Sequence, residues 1–460
     1  MPNTPDAKWI AEKLTESIQN LGGLVSLEKV LELARLITTS MSNERRSFHR
    51  PSHLVDLIDP KDPILTIAAL FHDVVYYQVD QGLPTPTETM LQPLLLIEQD
   101  SVYLRKDSLS VLPGLSIVCD LFEITPGDRL NPVKNLNEFL SAVVAYTSLA
   151  PVLPDGFIAQ VVACIEATIP FRPQRKDNDH ILALSKRLSA SNQKYDLDIS
   201  AGELQSAIER SVRLANLDVK NFASEDPAWF LATTWQLMSE RNESLRGNHY
   251  TFKDYRSSLE KMSDFFGFLN DELIFKRYKN YPSAEIHETN TIRASRNLQI
   301  ARTYLTAKLV AINLVETLAV LSGGDLPISD FLGPLPKIEK LRTRMEQFLP
   351  AVEAARDINP VVLNLLEKGL PLESSFDLKN SPLAAYVYKA LGETELISLA
   401  KKIGRPAPGA DSDPTNLIFF PKQVVAEVAL ACAKVCFDRS DTLMKLGAIG
   451  NKTPSSQSSY

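Results

Sequence analysis

Apolar residues in this chain recur at intervals of three and four over most of its length, and almost no run alternates long enough to suggest a sheet. That period commits the chain to helices, because positions three and four apart share one helix face, whereas a strand places every second residue on one side. "SLEKVLELARLITTSM" carries the pattern, and Asp62 followed by Pro63 opens "DPILTIAALFHDVVYY" as N-cap and first helical residue. Ser200 and Glu203 stand at capping-box spacing ahead of the run that ends in "LANLD". A long helix is expected from about Ile286 to Leu321, with Leu298, Ala301, Leu305, Leu309, Ile312 and Val315 apolar and Gly323 and Gly324 at its end. The expected fold class is all-α, a helical bundle with an additional C-terminal helical region.

At 460 residues the chain exceeds one core of ordinary size. The domain change is placed just before the long helix, giving a first domain over 1–283, a helical region over 284–450 and a disordered tail, "NKTPSSQSSY", over 451–460. Prolines and glycines in "TPGDRLNP", "VLPDG" and "PFRPQRKDND" mark connections inside the first domain. The most apolar long stretch, "YLTAKLVAINLVETLAVL", carries Lys308 and Glu316 and reads as a buried helix, since a spanning helix wants about 20 nearly uncharged residues. The start has no basic stretch leading into an apolar one, so nothing in it directs export. Four cysteines make no disulfide framework, Cys432 and Cys436 read as small core residues, and a reducing cytoplasm is the expected location. A net charge of −7 gives no general attraction to phosphate polymers, and no strong basic patch stands out.

Three of the six histidines, His49, His53 and His72, fall within 24 residues of one another. In "SFHRPSH" the first two are four apart, a spacing that on a helix brings both imidazoles to one face. His72 and Asp73 lie in "AALFHDVVYY", where an ionised carboxylate is unfavourable by several kcal/mol unless it is paired or bound to a metal. A divalent cation removes that penalty; the plainer reading is a His-Asp pair hydrogen-bonded to neighbouring helices. On the helix that starts near Ser200, the stripe of Leu204, Ile208, Val212 and Ala215 places Asp218 about 40° from its axis, so Asp218 points inward. It either joins the same site, caps another helix or pairs with Arg213. His53, His72, Asp73 and Asp218 together offer two nitrogens and two carboxylates, a set suited to manganese, iron, zinc or magnesium, with water in the open positions.

"FHRPSHLVDLI", "ILTIAALFHDVVY" and "LANLDV" together resemble the HD superfamily of metal-dependent phosphohydrolases, over roughly residues 45 to 225. The resemblance is to the branch whose first motif has two histidines four apart. It implies an HD-domain-like helical bundle, His49 as proton donor, and His53, His72, Asp73 and Asp218 as metal ligands. Asp73 or Asp218 would orient a water activated by the metal for attack on phosphorus. The chain departs from many two-metal members in having only His180, in a polar loop, between Asp73 and Asp218. Glu166, in "ACIEATIPFRP", falls where a further histidine is expected, and is either a carboxylate for a second metal or outer contact, or a salt-bridged residue. Arg46, Arg50 and Lys220 flank the motifs and would hold phosphate oxygens or stand as solvated charges. His249 and His287 match nothing in the pattern.

The function expected is hydrolysis of a small phosphorylated substrate, a monoester or diester, nucleotides included. The alternative is a helical regulatory or interaction protein that keeps the metal site for structure or ligand sensing. The C-terminal helices, which carry no chemical motif, would then serve as an interaction or homo-oligomer surface.

Overall fold

In a computed structural model of the chain, the described residues are 5–99, 101–131, 135–172, 179–247, 249–334, 343–374, 376–407 and 409–450. The expected tail at 451–460 lies outside them. The fold is all-α, about 66% helical with 3% strand. Two units are formed, Met1–Ala223 with Asn270–Ser295, and Ser224–Leu269 with Arg296–Tyr460. The expected change at 283/284 therefore falls inside a segment of the first unit. No glycine or proline marks 295/296, because one helix, Ala284–Gly323, runs through it. That helix extends the expected range slightly at both ends; Gly323 is its last residue, with φ of 145°, and Gly324 follows with φ of 103°.

The first unit is organised around the Pro63–Phe71 helix. Pro63 presets its first turn, and the Asp62 carboxylate accepts from Leu65 N at 3.1 Å, satisfying one of the donors that a helix start leaves unpaired. Every residue from Ile64 to Phe71 is buried. Each large side chain there removes about 1.5–3 kcal/mol worth of apolar surface from water, which makes this helix the axis of the core. Helices Ala7–Asn20, Leu136–Leu149, Asp155–Ala167 and Ala201–Asp218 pack against it. The last of these starts with the expected capping box, Ser200 and Glu203 each satisfying the other's backbone.

Two ion pairs fix the Ala201–Asp218 helix against the start of the core helix. Arg210 Nε lies 2.8 and 2.9 Å from the two oxygens of Asp62, and Arg213 Nη2 lies 2.6 Å from Asp59. Arg213 is thereby committed to Asp59 and not to Asp218. A small antiparallel sheet, Leu95–Glu98, Ser101–Leu104 and Arg129–Leu130, was not evident from the sequence because its strands are only two to four residues long.

The second unit is mainly helical in its described residues and carries two buried ion pairs. Arg256 Nε lies 2.6 Å from Glu316 Oε2, and Lys308 Nζ lies 2.7 Å from Asp377 Oδ2, with Tyr255, Trp235 and Tyr304 rings around the ammonium. These pairs account for the two charges in the apolar stretch of the long helix. Among the described residues that helix is the one long and apolar enough to cross a membrane, and 72% of its most apolar window is buried.

Candidate metal centre

Three segments of the first unit converge on the site. The first is the short helix Pro51–Leu54, which carries His53. Proline disfavours helical backbone in the residue before it, and Arg50 is accordingly extended, with φ −100° and ψ 166°. His49 therefore precedes the helix, which corrects the expectation that His49 and His53 share one helical turn. Their rings are still neighbours, with centroids 6.3 Å apart.

The second segment is the end of the core helix. That helix stops at Phe71, so His72 is its C-cap and Asp73 lies just beyond, not in mid-helix as the sequence suggested. His72 Nδ1 is 2.7 Å from the Ala69 carbonyl. A carbonyl only accepts, so Nδ1 carries a proton in either charge state, and Nε2 is the nitrogen turned to the carboxylates, with a lone pair to give a cation once its own proton leaves. The third segment is the C-terminal end of the Ala201–Asp218 helix, which delivers Asp218 as its last residue.

His53 Nε2 lies 2.9 Å from Asp218 Oδ1, and His72 Nε2 lies 3.0 Å from Asp73 Oδ2 and 3.5 Å from Asp218 Oδ1. Despite these distances His72 Nε2, with its side chain 1% exposed, makes no well-formed hydrogen bond, and its contacts with both carboxylates are those of ion pairs. A buried nitrogen left without a hydrogen bond is costly in a protein interior. One ligand atom from each of His53, His72, Asp73 and Asp218 lies within 4.8 Å of the others. Donors at about 2.1 Å from one ion are at most about 4.2 Å apart, so a contraction of roughly 0.6 Å would let all four bind. The donor set and the orphaned nitrogen fit a divalent cation.

Charge ties the group together. Burial disfavours the charged form of His72, but Asp73 and Asp218 outweigh it and hold its pKa well above the ordinary histidine range. Burial likewise raises Asp73 and Asp218, yet the facing imidazoles, His72 and His49 for Asp73 and His53 and His72 for Asp218, hold both well below the carboxylate range. The two carboxylates keep 18% and 20% of their side chains exposed, so solvent tempers these effects.

Comparison with family models, with curated proteins and with solved structures finds no match. The site must be read from its own geometry.

Residues outside the motifs form the site's surroundings. Glu138 sits in the first turn of Leu136–Leu149, a turn pinned beside Asp73 by Tyr77 N donating to Asn137 Oδ1 at 3.0 Å and Val75 N to Ser141 Oγ at 3.1 Å. Burial, with the nearby carboxylates of Asp73 and Asp218, pushes its carboxyl up to about 7. Lys276 comes from the returning segment, where its backbone N and O bond the Asn216 side chain at 2.7 and 2.8 Å, two residues before Asp218. Its ammonium donates to the carbonyls of Ala167 and Ile169, and burial together with Arg172 lowers its pKa to about 8. Neither residue belongs to a motif, and nothing in the sequence marked them.

Other expected residues take different roles. Glu166 is not in the ligand group: its Oε1 accepts from Arg172 Nη1 at 2.7 Å and Arg187 Nη2 at 2.6 Å, and two guanidinium groups there disfavour a cation. Arg46 is not placed to hold phosphate, being 0% exposed and forked onto Asp80. Lys220 is an exposed partner of Asp56 at 3.0 Å. Arg50 is exposed, with its Nε donating to the Arg46 carbonyl. His180 begins the His180–Lys194 helix instead of lying in a loop; His249 is exposed, and His287 Nε2 lies 3.1 Å from the Phe275 carbonyl.

Proposed function

We propose that the chain is a metal-dependent phosphohydrolase of the HD type that its motifs resemble, acting on a small phosphate monoester or diester, nucleotides included. The observation that supports this is the buried, unpartnered Nε2 of His72 converging with His53, Asp73 and Asp218, beside a further imidazole outside that group. A divalent cation held by those four residues, manganese, iron, zinc or magnesium, supplies Lewis acidity and lowers the pKa of coordinated water. Asp73, next in the chain to His72, would orient that water. His49 carries a proton to the leaving oxygen, the general-acid task to which imidazole chemistry is suited. Arg50 is exposed beside both histidines and offers its remaining donors to phosphate oxygens.

A second reading is a regulatory protein whose site binds without turnover. It is favoured by the charge balance of the group itself, in which two imidazoles meet two carboxylates at 2.9 to 3.5 Å and hold together as ion pairs. The two readings separate on measurement. Purified protein exchanged into manganese should retain about one ion per chain, and His72→Ala with Asp73→Ala should lose it. His49→Ala should keep the ion and lower hydrolysis of bis(p-nitrophenyl) phosphate or of nucleotides by at least about a hundredfold, leaving a residual rate that can still be measured. Retained metal with no turnover across a broad phosphate-ester panel would decide for the regulatory reading.

A further inference from the structure

His49 is linked to the turn bearing Asp73 through Arg46. Because Pro51 forbids helix before Arg50, residues 47–50 form bends and the ring is not carried by a helical ladder. Arg46 reaches the places that matter. Its Nε and Nη2 lie 2.9 and 2.5 Å from the two oxygens of Asp80, and its Nη1 donates to the Asp73 carbonyl at 2.7 Å and, at the long limit of 3.5 Å, to the His49 carbonyl. The Arg46 carbonyl accepts from Arg50 Nε. Its guanidinium carbon also sits 5.9 Å from the Tyr76 ring centre, and Tyr76 meets the His49 imidazole edge-on with centroids 4.6 Å apart at 88°.

A buried charge of this size is an expensive way to fill space, since an apolar side chain of similar volume would pack without desolvation. What a guanidinium adds is a rigid planar fork with several donors in fixed directions. We propose that the Arg46–Asp80 pair is a positioning device, which sets His49 against the turn bearing Asp73. The inference rests on the phosphohydrolase reading, with Arg46 acting through His49 and touching no substrate.

The test is a double-mutant cycle on full-length protein loaded with manganese, using bis(p-nitrophenyl) phosphate as probe. Arg46→Lys keeps the charge and loses the fork. It should lower kcat about tenfold or more while KM and bound manganese stay within about twofold. In a His49→Ala background the same change should cost less than about twofold, because the group it positions is gone. An equal loss in both backgrounds, or an unchanged kcat in the single variant, overturns the proposal. If Arg46→Lys does not fold, Asp80→Asn, which is isosteric and removes one side of the fork, carries the same cycle. A readout independent of turnover separates this from failure of the hydrolase reading: the His49 Hε1 resonance of histidine-labelled protein. Loss of the Tyr76 ring geometry in either variant should shift it, and an unmoved resonance overturns the positioning role even if the wild type hydrolyses nothing.

Discussion

His53 Nε2 lies 2.9 Å from Asp218 Oδ1, although the two residues are 165 positions apart in the chain. The contact closes the site, because Asp218 also faces His72 at 3.5 Å. Asp218→Asn keeps the shape and removes the charge. It should lower manganese occupancy at least about tenfold, and the rise in Tm that manganese gives the wild type should vanish with it. Elemental analysis and paired melts with and without the ion measure both effects; full occupancy in the variant would remove Asp218 from the ligand set.

Glu166 offers the opposite expectation. Its carboxylate is 3% exposed and pairs with Arg172 and Arg187, so Glu166→Gln should leave Arg172 poorly compensated and Arg187 with Glu123 alone. Breaking a buried pair costs about 3–5 kcal/mol when one partner goes. Chemical denaturation should show a loss of that order. Metal content of the folded fraction should stay at the wild-type value, and a fall in occupancy with no loss of stability would restore Glu166 to the metal site.

The pH dependence of the metal-free protein should carry the mark of Glu138. Its carboxyl is raised to about 7, above the 4.5 of a free glutamate, so between those values the folded state holds a proton that the unfolded state has released. Folding therefore loses stability as pH rises from about 4.5 to about 7, and the loss is complete above that. Glu138→Gln removes the penalty. In chelator-treated protein it should melt higher than wild type at pH 8, by on the order of 1 kcal/mol once partial solvent access is allowed for, and equally at pH 4. A variant less stable at pH 8 would show that the Glu138 charge is satisfied in the fold.

Much of this arrangement was written in local patterns. Asp62–Pro63, Ser200–Glu203 and the two terminal glycines of the long helix are decided by a few adjacent residues, so their elements form where expected. The four ligand candidates were legible too, from residue type and chain clustering and, for Asp218, from the helix face it occupies. What escaped was set by tertiary contact. The fork of Arg46 on Asp80 spans 34 positions and the bond of Lys276 to Ala167 spans 109, distances over which no periodicity carries information. One longer signal was present and unread: Asp59 and Asp62 are three apart, as are Arg210 and Arg213, and the two pairs meet as acid and base. The proline in "RPSH" also implied that His49 stands outside the helix, since its effect on Arg50 is local.

Lys276 leads to the last expectation. Its ammonium props the carbonyls of Ala167 and Ile169 at the end of the Asp155–Ala167 helix, and its charge acts on Asp218 and Glu138. A cation on this side of the two carboxylates favours an anion entering between them, since a phosphate would otherwise meet two like charges. Lys276→Met keeps the length of the side chain without the charge. In manganese-loaded protein it should raise the KM for bis(p-nitrophenyl) phosphate and weaken inhibition by inorganic phosphate, each by about five- to tenfold, which corresponds to the 1–1.4 kcal/mol of one partly screened charge contact. Because the ligand atoms are untouched, manganese content should not change. An effect on kcat alone, with KM and phosphate inhibition at wild-type values, would assign Lys276 to holding the helix end and remove it from anion binding.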